Sequence, residues 1–150
     1  MNHIQTIILS ICASMLMLAG QLVHAHGDEP QKGPNGGQLR EAGNYRFELV
    51  VAKDGNEARE SPLVVYVTDR MGAKVSTASA NATTTILAGK TKVSATLIPD
   101  GDNRMKGVAK YASLPDMKVV LSLTLAGKAA EQARFTPLAA SKDAGSEHKH

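Results

Sequence analysis

From Gln38 onward the chain is written in short apolar runs divided by turn residues. YRFELVV (45–51) puts Tyr45, Phe47, Leu49 and Val51 on one side and Arg46 and Glu48 on the other, the period-2 mark of a half-buried strand. PLVVYVT (62–68) is a denser apolar run with Pro62 at its start, where a strand tolerates proline. TTTILAG (83–89) and TKVSATLI (91–98) predict a hairpin about Ala88–Lys90, with Val93, Ala95 and Leu97 alternating against Lys92, Ser94 and Thr96. MKVVLSLTL (117–125) places Met117, Val119, Leu121, Leu123 and Leu125 on one face. KDGNEA, DRMG, PDGDN and AGK supply the turns between them. RMKG (104–107) reads as a short strand, and AAEQARFTP (129–137) ends the series at Pro137, with a partly helical EQARFTPLAASK as the other reading.

About seven to nine short strands at intervals of ~8–12 residues predict an all-β antiparallel sandwich. Its architecture is expected to be Ig-like or cupredoxin-like, with a closed barrel as the alternative, because strand count alone does not separate the two. The sandwich is expected over residues 38–137. HGDEPQKGPNGG (26–37) reads as a flexible arm rich in Gly and Pro, and residues 138–150 as a polar tail without periodicity.

Residues 1–25 differ in kind. They contain no Lys, Arg, Asp or Glu, run through an apolar block from Ile4 to Gly20, and end with Val23 and Ala25 at the small-residue positions of a cleavage site. This reads as a secretory signal peptide cut after Ala25. An uncut anchor is the other reading, but the block is short for a span of ~20 residues. Cys12, the sole cysteine, follows Ile11 within the apolar block, which is the wrong context for a lipidated cysteine. After the cut the chain holds no cysteine and retains its net charge of +3.

A charge of that size bears on solubility more than on any partner. Lys and Arg are scattered without a recognition motif, which argues against nucleic acid. With no Trp and few aromatics, the core must be built from Val, Leu, Ile and Ala. Histidine occurs only at positions 3, 24, 26, 148 and 150. A Ser-His-Asp or Cys-His mechanism needs a histidine held by the fold, so enzyme chemistry of that kind is not expected. A typical catalytic zinc site needs several such histidines and is not expected either. Asp100 and Asp102 share a turn and read as turn chemistry.

Cleavage after Ala25 would give His26 a free amine beside its imidazole, a nitrogen chelate that suits Cu(II). Asp28 and Glu29 stand near enough in sequence to add oxygen. His148 and His150, in SEHKH, offer auxiliary imidazoles from the far end if the two termini lie together. The expected metal site is therefore His26, Asp28, Glu29, His148 and His150, with copper as the first choice and zinc or nickel as alternatives. The competing reading is two polar ends that merely contain histidines. Met71, Met105 and Met117 carry thioethers that suit Cu(I), but isolated methionines more often fill gaps in a core.

GPNGGQL (33–39), YRFELVV (45–51), LVVYVTD (63–69) and LIPDGDNRMKG (97–107) together resemble a small periplasmic β-domain associated with heavy-metal efflux of the resistance-nodulation-division type. That domain occurs as an N-terminal extension of some periplasmic adaptor proteins and as short stand-alone relatives. The resemblance spans roughly residues 33–136. It implies a periplasmic location and, as partner, an efflux adaptor or pump component, with no membrane contact after signal cleavage. Asn35 stands where the family pattern often has histidine. A weaker resemblance is to copper-resistance-type periplasmic copper-binding sandwiches, which place a second histidine inside the fold. This chain has none between Gly27 and Glu147.

Overall fold

A computed structural model describes residues 31–53 and 55–140. Nine strands follow one another: β1 (Gln31–Lys32), β2 (Gln38–Ala42), β3 (Tyr45–Val51), β4 (Arg59–Asp69), β5 (Asn81–Ala88), β6 (Thr91–Pro99), β7 (Arg104–Tyr111), β8 (Lys118–Thr124) and β9 (Glu131–Phe135). All pairings are antiparallel, and the order across the sheet is β1-β2-β3-β4-β7-β6-β5-β8-β9. No helix occurs among the described residues. The all-β antiparallel expectation therefore holds. The strands belong to one curled nine-stranded sheet rather than to two separate hydrogen-bonded sheets.

Local chemistry sets the hairpins. β2 and β3 meet at Ala42↔Tyr45 across Gly43-Asn44, and β5 and β6 meet at Ala88↔Thr91 across Gly89-Lys90. Gly43 and Gly89 take φ of 58° and 59° as the first turn residue, a conformation that a side chain disfavours and that matches strand twist. Two longer connections cross the structure: β4 passes to β5, and β7 passes to β8, each skipping over two strands of the sheet. Thr77 anchors the first of these. It is fully buried, and its hydroxyl donates toward the carbonyls of Gly101, Asp102 and Arg104, the last at 3.1 Å.

The inward face follows the alternation read from sequence. Phe47, Leu49, Leu63, Val65, Ile86, Leu97, Leu121, Leu123 and Phe135 form one continuous buried cluster drawn from both halves of the sheet. Burying such a side chain is worth roughly 1.5–3 kcal/mol. Met117 through Leu125 point inward at every second residue, as expected. Tyr111 is the largest buried side chain. Its hydroxyl donates to Pro62 O at 2.7 Å and accepts from Ala52 N at 3.0 Å, tying together the two ends of the β3–β4 loop.

The curl has a tight corner and a stitched one. At the tight corner β6 and β7 are paired only at Ile98↔Lys106 and Pro99↔Met105. Beyond that point a Cβ at position 107 would stand 2.6 Å from Thr96 O and 3.3 Å from Leu97 Cγ. Gly107 thus lets β6 pass close over β7, which sends the sheet back across its own core. At the stitched corner β2 and β9, from opposite ends of the strand order, come together through side chains. Gln38 Oε1 accepts from Thr136 N at 2.7 Å, and Arg40 Nε donates to Arg134 O at 3.1 Å.

Three segments differ from the sequence reading. Where an irregular arm was expected, Gln31–Lys32 pair with β2, and residues 33–37 form a defined loop. β7 runs to Tyr111 rather than stopping at Gly107. Its inward residues (Met105, Gly107, Ala109, Tyr111) are too mixed in size to read as an apolar face. Residues 131–135, one part of the possible helix, are strand, because pairing with β8 satisfies their backbone.

Candidate functional site

The five expected metal ligands, His26, Asp28, Glu29, His148 and His150, lie outside the described residues. The described segments contain no histidine and no cysteine, and among them no three acidic side chains come together as a metal-holding group. Met105 and Met117 are fully buried in the core, whereas Met71 is 93% exposed on the turn after β4. The described methionines therefore present one accessible sulfur. Asp100 acts as a turn residue: its amide donates to Arg104 O at 2.8 Å and its carboxylate pairs with Arg104 at 2.9 Å. Arg104 also hydrogen-bonds Tyr66, and that contact first, with Asp100 second, raises the guanidinium above its ordinary pKa.

The GPNGG segment surrounds a carboxylate that sequence reasoning had assigned to solvent. Glu48 lies on the outward side of β3, yet it is only 2% exposed. Asn35 N and Gly37 N donate to Oε1 at 2.7 and 2.9 Å, and Asn35 Nδ2 donates to Oε2 at 2.8 Å. The loop is closed on itself by Gly33 N to Gly37 O at 2.9 Å and Gly36 N to Gly33 O at 3.1 Å. Gly36 has φ +80°, and a Cβ at Gly33 would strike the Glu48 carboxylate. The alternate amides of Asn35 and Gly37 thus cradle an anion, while the Gly36 amide between them closes the loop on Gly33 O. Here the anion is the protein's own side chain. The motif that carries the family resemblance thus serves the architecture, with Asn35 as a donor to Glu48. A Gly-rich run shortly before a strand with an outward Glu is the signal that could have revealed this.

The two ends of the described chain converge on one residue. The backbone of Gln38 pairs with Lys32 of β1, and its side chain holds Thr136 just after β9. Gln38 itself is 5% exposed. The first and last strands of the described chain therefore meet beside Gln38.

A second feature lies at the tight corner. Ile98 and Val108 are 65% and 57% exposed on the outward side of β6 and β7, and Val108 stands opposite the exposed Pro62 of β4. A shallow groove of about 330 Å³ runs here between Thr96, Ile98, Pro99, Lys106 and Val108. No protein-family model matches the chain, and no curated protein shows significant similarity to it.

Proposed function

We propose that this protein is a periplasmic accessory protein of a heavy-metal resistance or efflux system that binds or buffers a transition metal, with copper the metal that its ligand types favour. The observation that supports the reading is that Lys32 and Thr136, near the two ends of the described chain, both meet Gln38. In this reading His26 supplies its amine and imidazole, Asp28 or Glu29 an oxygen, and His148 and His150 further imidazoles. The β-domain is the platform and the ends are the ligands. The family resemblance supports the location and the link to efflux. Titration of the mature protein with Cu(II) tests it: His26→Ala is expected to weaken binding at least tenfold, and loss of residues 141–150 to weaken it less. Equal, peptide-like binding by wild type and His26→Ala would overturn the reading.

A second reading has its own observation. The exposed Ile98, Val108 and Pro62 beside the groove favour an interaction domain that docks on an efflux adaptor or another envelope protein without holding metal. It predicts that a chain lacking both terminal segments recovers the same partner from periplasm as the full chain, and that Ile98→Lys loses it.

A further inference from the structure

The outward face of the β6-β5-β8-β9 half has an unusual composition. Register aligns Thr96, Thr83, Ser122 and Gln132 in one row across the four strands. Ser94, Thr85, Val120 and Arg134 form the next row, and Lys92, Leu87 and Lys118 a third. Along the strands the hydroxyls recur at every second residue: Ser94 and Thr96, Thr83 and Thr85, Ser122 and Thr124. Strand geometry spaces them at about 4.8 Å between strands and about 6.8 Å along each strand. Each of the six side chains is exposed or half-exposed. Among the described residues none of these hydroxyls has a hydrogen-bonding partner, and Lys92, Lys118 and Arg134 make no ion pair. No Asp or Glu belongs to these rows.

We propose that this face binds an acidic polysaccharide laid across the strands. A hydroxyl carries one donor and two acceptor sites, so a regular array of them matches the mixed donors and acceptors of sugar hydroxyls. Lys92, Lys118 and Arg134 complement carboxylate or sulfate groups on the same polymer, with no Asp or Glu in the described rows to compete. Other occupants fit less well. A protein interface would place large apolar or aromatic anchors at its centre, whereas the apolar members of these rows are Leu87 and Val120, with Ile98 at their margin beyond Thr96. A single-stranded nucleic acid would call for stacking aromatics, and these rows have none. An anionic lipid surface would use the cations but leave the hydroxyl rows without a role.

The proposal is independent of metal binding and is tested on the full mature protein. Polygalacturonate and dextran sulfate serve as probes, with neutral dextran and phosphatidylglycerol vesicles as references. Two variants are compared with wild type: the charge reversal Lys92→Glu/Lys118→Glu/Arg134→Glu, and the near-isosteric Thr83→Val/Thr85→Val, each checked for an unchanged circular dichroism spectrum. Wild type is expected to bind at least one acidic polysaccharide, and each variant to bind it at least tenfold more weakly. Three outcomes would overturn the proposal: no binding to either acidic polymer, full binding by the valine variant, which would reduce the effect to ion exchange, or equally tight binding to the vesicles.

Discussion

The sheet has two outward faces, and they treat polar positions in opposite ways. On β3, the outward Glu48 is enclosed by the loop of residues 33–37 and satisfied by three protein donors. On β5, the hydroxyls of the outward Thr83 and Thr85 have no hydrogen-bonding partner among the described residues. Both sets occupy the polar phase of a period-2 pattern. On β3 that phase belongs to the architecture, and on β5 it is left open. Alternation therefore tells which way a side chain points, and only the long-range path of the chain tells what it finds there.

The largest effect expected from breaking this contrast is at Glu48. Glu48→Ala leaves the amides of Asn35 and Gly37 facing a void, at a cost of about 3 kcal/mol and a fall in melting midpoint on the order of 10 °C, readable by thermal denaturation. Gly33→Ala, which drives a methyl into the same carboxylate, is expected to cost nearly as much, about 2–3 kcal/mol, and the double variant with Glu48→Ala less than the sum of the two. Gly107→Ala comes next: the added Cβ meets the Thr96 carbonyl, a fixed backbone atom, so denaturant titration should show a loss of about 2 kcal/mol. Tyr111→Phe removes the link between Pro62 and Ala52 while preserving the ring, for a loss of about 1–2 kcal/mol. Thr85→Val on the open face should fall within about 0.5 kcal/mol of wild type. A Thr85→Val cost as large as that of Glu48→Ala would erase the distinction between the faces.

Strand positions were the most legible part of the fold, because one buried face writes itself into the sequence at every second residue. β3, β6 and β8 were read almost to their ends. β7 was read short because Gly107, needed for the close passage of β6, interrupts its apolar series. The strand order was not legible: pairing β4 with β7 and β5 with β8 depends on two connections that cross other strands, and no local pattern encodes such a path. The GPNGG loop looked irregular because its order comes from Glu48, a residue more than ten positions later. The expected metal ligands fall beyond both ends of the described chain, so the fold bears on them only through the place where that chain enters and leaves.

That meeting at Gln38 also makes the strand sequence effectively circular. Lys32 pairs with the Gln38 backbone and Thr136 with its side chain, so a linker between the described ends would join them without disturbing either half of the sheet. A permuted chain opened in the exposed turn between β8 and β9, near Gly127, would begin with β9 and finish with β8, yet call for the same strand neighbours. The molecule has a fixed arrangement of strands but no obligatory first one. The described strands close into a ring beside Gln38.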